Sequence, residues 1–259
     1  MTTDGQFPLW MIVVLSPVLA LVAGAYASVG LGGGSGYVAL MVLFGLPVGQ
    51  VASTALLLNV VVTGAALLRY GLAGRLHMAC LLPFLIPALP AAVIGGFCRL
   101  PRSTVLGVLS VALVTAAVAT FRSAASAVEE LRQPHWLARV LVGVPVGAGI
   151  GFVSGLVGIG GGVFLGPVIL LLGCAGAKEV AAMNAVVVLT LSAAGLVGHG
   201  LSGAISVSLV LPFAIAALVG GVAGAHLGER KLSPRVLRRV LATLVLIAGV
   251  KAAVDAFLG

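Results

Sequence analysis

The sequence predicts an all-α polytopic membrane protein built from two five-segment repeats. Three observations carry this. Apolar residues make up 61% of the 259-residue chain and charged residues only 8%, where a soluble domain carries about 25% charged residues. The apolar runs recur along the whole chain at lengths close to the roughly 20 residues that a membrane-crossing helix needs, and the mean hydropathy is +1.27. A Gly-x-Gly-Gly-Gly cluster appears twice, at Gly30–Gly34 and Gly158–Gly162, with an offset of 128 residues between Gly30 and Gly158. Backbone groups in lipid must bond within their own segment, which favours helices. The period-2 alternation of a transmembrane β-barrel is absent.

Five apolar segments fall in each half. In the first they cover residues 8–28, 36–47, 50–69, 77–97 and 104–121. In the second they cover residues 139–157, 163–174, 179–198, 204–226 and 236–257. This sets out a first repeat over 1–121, a polar cytoplasmic linker over 122–138 and a second repeat over 139–259. Ala25-Tyr26-Ala27 resembles a signal-peptide cleavage site, but the preceding residues carry Asp4 and no Lys or Arg. The run from Leu9 to Ser28 is therefore expected to be a retained span, with Trp10 as its interfacial anchor.

The second segment of each half is short and directly follows the glycine cluster. Glycine costs a helix roughly 1 kcal/mol relative to alanine, so three in a row at matching repeat positions predict a break in the helix. Short, glycine-interrupted segments at corresponding positions of two repeats point to a transporter's central site. The start of a short helix offers unpaired backbone N–H groups and the positive end of its dipole, an anion site that needs no charged side chain. The long segment after each break carries small polar residues: Ser53, Thr54, Asn59 and Thr63 in the first half, Asn184, Thr190 and Ser192 in the second. The expected substrate shell is thus Gly32, Gly33, Gly34, Ser35, Ser53, Thr54 and Asn59 with Gly160, Gly161, Gly162, Asn184, Thr190 and Ser192. Glycine and small polar residues also serve simple helix packing, and that reading competes.

Charge placement bears on orientation. The formal net charge is +8. With an odd number of crossings per repeat, the eight residues Arg69, Arg75, Arg122, Arg132, Arg139, Arg230, Lys231 and Arg235 share one face, against three, Arg99, Arg102 and Lys251, on the other. With an even number the same loops divide evenly. The positive-inside rule thus favours an inverted repeat with both termini outside. Basic residues placed this way orient a protein in a membrane and do not call for nucleic acid as a partner. The expected partners are the lipid bilayer and a small anionic substrate.

No acidic residue falls in the middle of an expected span, which disfavours a metal-cation carrier. Lys178 and His199, near the ends of one polar segment, are the coupling candidates. Cys80, Cys98 and Cys174 lie in apolar runs without metal-ligand spacing and read as small buried hydrophobes. Gly34-Ser-Gly-Tyr-Val-Ala39 fits a dinucleotide fingerprint in letters only, since no soluble strand–helix–strand unit surrounds it. No enzyme motif, metal site or cofactor is expected.

These features resemble the TauE/SafE family, the sulfite exporter family of membrane permeases. The resemblance rests on the duplicated glycine clusters, the short segment after each, Pro167 five residues past the second cluster, and the small-polar segments that follow. It implies a secondary carrier, exporter or permease, for sulfite, organosulfonates or related sulfur anions. Many members carry an Ala-x-x-Thr-Ser-like element after each short helix. Val51-Ala52-Ser53-Thr54 comes close, whereas Ala181-Ala182-Met183-Asn184 lacks both hydroxyls, so Asn184 is expected in their place. A passive anion channel, a sulfur-transfer protein acting through a cysteine, and a scaffold whose glycines only pack remain open alternatives at this point.

Overall fold

The computed structural model describes residues 9–28, 33–70, 77–123, 136–172, 177–201, 210–227 and 234–258. Among these the chain forms ten α-helices: α1 (Leu9–Ser28), α2 (Gly34–Leu43), α3 (Val48–Tyr70), α4 (Met78–Phe97), α5 (Arg102–Ser123), α6 (Trp136–Val157), α7 (Gly162–Leu171), α8 (Ala177–Leu201), α9 (Val210–Leu227) and α10 (Pro234–Leu258). They follow the ten apolar runs in order. Five of them, α4, α5, α6, α8 and α10, contain a stretch long and apolar enough to cross a membrane. The expectations on Gly30, Gly32, Cys174 and most of the linker lie outside the described residues, as do those on the side chains of Trp10 and Lys178.

The two short helices have the same length, ten residues, and begin at Gly34 and Gly162, again 128 residues apart. At 1.5 Å per residue each is about 15 Å long, half the hydrocarbon thickness. Helix α2 is buried from Gly34 to Val42. Large apolar side chains such as Leu21, Ile86, Val111, Leu141 and Ile215 are exposed instead on the longer helices. That distribution suits lipid around the outer helices and protein around the short ones.

The repeats interleave rather than sit side by side. Helix α4 packs along α6 and α1 along α9, while α5 lies on α10 and α3 on α8. Exchanging α1–α5 with α6–α10 turns the α4–α6 pair into α9–α1 and the α4–α8 pair into α9–α3, both of which are observed. Close approach within these pairs comes from small residues. Gly143, Gly147, Gly151 and Gly155 recur every fourth residue, on one face of α6. A methyl group on Gly143 would lie 2.8 Å from the Pro83 Cβ, and one on Gly147, Gly151 or Gly155 would overlap the carbonyl oxygen of Phe84, Ala88 or Ala92 on α4. Gly220 and Gly224 of α9 meet Ala20 and Gly24 of α1 in the same way. With no hydrophobic drive between helices in lipid, such backbone approach is what holds them together.

The prolines divide in two. Pro87, Pro90 and Pro167 lie inside α4 and α7, as do Pro17, Pro83 and Pro145 inside α1, α4 and α6. Pro212 is instead the third residue of α9. No intrahelical N–H bond is lost at that position, so no kink need follow.

Candidate functional site

Helix α6 stops at Val157 because the backbone turns left-handed at three glycines, Gly158 (φ +87°), Gly160 (φ +83°) and Gly161 (φ +74°). Other residues adopt that region only with strain. The Gly158 N–H closes α6 on the Ser154 carbonyl oxygen at 2.8 Å, and the Gly161 carbonyl accepts from Phe164 and Leu165 to open α7. In the first repeat Gly33 precedes α2, and its carbonyl accepts from the Tyr37 N–H at 2.9 Å.

The two breaks touch. A methyl group on Gly34 would sit 2.6 Å from Asn59 Nδ2 and still closer to the Ile159 carbonyl oxygen. One on Gly160 would sit 2.7 Å from the same Asn59 nitrogen and 3.1 Å from Ser192 Oγ. Asn59, on α3 of the first repeat, therefore lies between the start of α2 and the second glycine cluster. Ser192, on α8, lies near the same face of Gly160 as Asn59. A Gly161 methyl would be 3.7 Å from Ser154 Oγ, a Gly162 methyl 3.7 Å from the Asn184 Cβ, and a Gly166 methyl 2.7 Å from Asn184 Nδ2. The backbone of Ala52 packs on Gly158, and Asn59 follows it two turns later on the same face of α3.

These side chains are buried without partners. Both amide atoms of Asn59, and Thr54 Oγ1, Ser154 Oγ, Ser192 Oγ, Asn184 Oδ1 and Tyr37 Oη, have no hydrogen-bond partner among the described residues. Native structures leave few such groups, and each costs about 1–3 kcal/mol. Those of Asn59, Asn184, Ser154, Ser192 and Tyr37 lie against the glycines of the two helix starts, whereas Thr54 Oγ1, and likewise Ser16 Oγ and Gln50 Oε1, are unpartnered away from them. Among the described residues the buried polar set contains Ser, Thr, Asn and His199 but no Asp, Glu, Lys or Arg. The positive potential available at this place therefore comes from the helix starts themselves.

The remaining expected residues are placed differently. Ser35 Oγ lies 3.0 Å from Tyr26 Oη and braces α1 against α2. Ser53, fully buried, donates to the Gln50 carbonyl oxygen at 3.3 Å. Thr54 stands two residues from Ala52 and so on another side of α3. Thr190 donates to the Val186 and Val187 carbonyl oxygens of its own helix, two residues from Ser192 and off the face that meets Gly160. His199 donates from Nε2 to the Gly155 carbonyl oxygen at 3.0 Å, tying α8 to α6 next to Ser154. Glu179, beside Lys178, is 3.6 Å from His77 Nδ1. Sequence reasoning passed over Ser154 and Tyr37. Their signal was a hydroxyl within one turn of each glycine cluster, shared at the first cluster with Ser35. Cys80 is buried and Cys98 partly so, and neither forms a disulfide.

Comparison with known proteins agrees with this architecture. The chain matches the family Sulfite exporter TauE/SafE over residues 15–252. It is 37% identical over 235 residues to a Sinorhizobium fredii protein named "Probable membrane transporter protein y4hK", covering 89% of this chain and 94% of that one. No solved structure matches it. A match over nearly the whole chain, on a multi-pass helical fold, places this protein in the TauE/SafE sulfite exporter family of membrane transporters.

Proposed function

We propose that this multi-pass membrane transporter is a secondary carrier for a small sulfur-containing anion such as sulfite or an organosulfonate. The observation that carries this reading is the meeting of the two glycine breaks at Gly34 and Gly160, with Asn59 buried and unpartnered between them and Ser192 likewise beside Gly160. The helix starts supply positive potential, although at α7 the Gly162 and Phe164 N–H groups already bond to the Gly160 and Gly161 carbonyl oxygens, and the neutral amides and hydroxyls supply a polar shell left unpartnered among the described residues. The family name supports sulfite as the first substrate to test. Because α3 and α8 of opposite repeats hold the site, rocking one repeat against the other would expose it to each side in turn. The distribution of Arg and Lys supports an inverted repeat, with both termini outside and the 122–138 loop in the cytoplasm of a cell whose inner or plasma membrane holds the protein.

The test is uptake of labelled sulfite into proteoliposomes, alongside sulfate, thiosulfate, sulfoacetate and taurine, each with and without a pH gradient. Saturable flux that shows counter-transport is the expected result. Flux that neither saturates nor exchanges would identify a channel instead. A gradient response that disappears in a folded His199→Gln variant would assign coupling to that side chain.

A further inference from the structure

We infer that the site selects an anion that carries its own hydrogen-bond donor, an O–H or N–H. This rests on the carrier reading above and narrows its substrate class.

No Lys or Arg is buried among the described residues, and the one buried histidine, His199, directs Nε2 to the Gly155 carbonyl oxygen. The starts of α2 at Gly34 and α7 at Gly162 each bring roughly half a positive charge, and the end of α6 at Val157 brings a similar charge of opposite sign to the same break. The net fixed charge is therefore small, and discrimination between anions rests on hydrogen bonds.

An anion without hydrogen, such as sulfate or a simple alkyl sulfonate, only accepts. It can use Asn59 Nδ2 and the hydroxyls of Ser154 and Ser192. It cannot serve Asn59 Oδ1 or Asn184 Oδ1, which are buried and unpartnered among the described residues. A carboxamide oxygen has no proton to give. Turning an amide over exchanges its oxygen and nitrogen but still leaves one acceptor on each asparagine. Asn59 places its amide against both Gly34 and Gly160, and Asn184 places its own along α7 against Gly166. A ligand with one O–H or N–H beside its anionic head would match the acceptors as well as the donors. Sites built to bond a ligand hydroxyl discriminate strongly against the analogue that lacks it.

The experiment compares 2-hydroxyethanesulfonate with ethanesulfonate, equal in charge and close in size, and adds sulfate as the hydrogen-free dianion. Binding to purified protein is measured by calorimetry, and competition against labelled sulfite is measured in proteoliposomes. The expected result is a preference of at least about ten-fold (about 1.4 kcal/mol) for the hydroxylated sulfonate, with no competition by sulfate. In Asn184→Leu the preference should shrink while ethanesulfonate still binds. If that variant fails to fold, the wild-type comparison still decides. Equal affinities for the two sulfonates, or sulfate competing as well as either, would overturn the inference. Saturable sulfite flux would then leave the carrier reading standing. Absence of flux or binding for every anion, in protein that elutes as a folded species, would remove both.

Discussion

Gly34→Ala tests the site at the point where the repeats meet. The backbone there is helical and not left-handed, so alanine is locally acceptable and would favour the helix by about 1 kcal/mol. The added methyl, however, would lie 2.6 Å from Asn59 Nδ2 and closer still to the Ile159 carbonyl oxygen. Ordinary carbon contacts are about 3.5–4.0 Å, so the start of α2 must withdraw from the Ile159 carbonyl by about 1.5 Å. Overpacking of this kind costs about 1–3 kcal/mol. Set against the helix gain, the net loss is at most about 2 kcal/mol, and the protein should still fold. Transport should suffer far more, since a 1 Å misplacement of positioned groups costs on the order of 100-fold. The assay pairs the thermal midpoint in detergent with initial uptake of labelled sulfite. Gly107→Ala serves as the control, because a methyl there meets nothing within 4 Å and should leave uptake unchanged while stabilising by roughly 0.5–1 kcal/mol. Wild-type uptake by Gly34→Ala would refute the argument, and so would equal losses in both variants.

Two further outcomes follow from the same geometry. Asn59→Leu replaces an unpartnered buried amide with an apolar side chain of similar volume; thermal stability should hold or rise, by up to about 1–3 kcal/mol, while uptake is lost, and a variant that lost stability but kept uptake would place Asn59 in packing alone. Gly151→Leu drives a large side chain into the Ala88 backbone on α4; the prediction is loss of the monodisperse peak on size exclusion, whereas a stable, active variant would mean that α6 and α4 do not depend on their close approach.

How much of this was legible in the sequence differs by level. Helix order and length were legible because each span is a long apolar run bounded by polar residues; the run expected at 77–97 is α4, Met78–Phe97, and that expected at 139–157 is α6, Trp136–Val157. The second break was legible too, since three of its glycines adopt positive φ. The α4–α6 seam was legible in principle, as glycine at every fourth position from Gly143 to Gly155. Which polar residues share a place was not. Helices α3 and α8 are packed on several sides, so apolar residues surround each polar one and no periodicity marks the inward face. Thr190 and Ser192 look equivalent in sequence, yet one hydroxyl turns back onto Val186 and the other stands beside Gly160.

The sequence by itself determined an all-helical, apolar chain, two short helices at matching positions, and a glycine break after α6, because these follow from local composition and local backbone freedom. Tertiary structure alone decided that the two breaks meet, that Asn59 of one repeat reaches the glycines of the other, and that Ser154 and Tyr37 join the unpartnered set. Those outcomes depend on how helices distant in the chain rotate and cross. That choice is made by backbone contact between small residues, whose pairing the chain order does not encode.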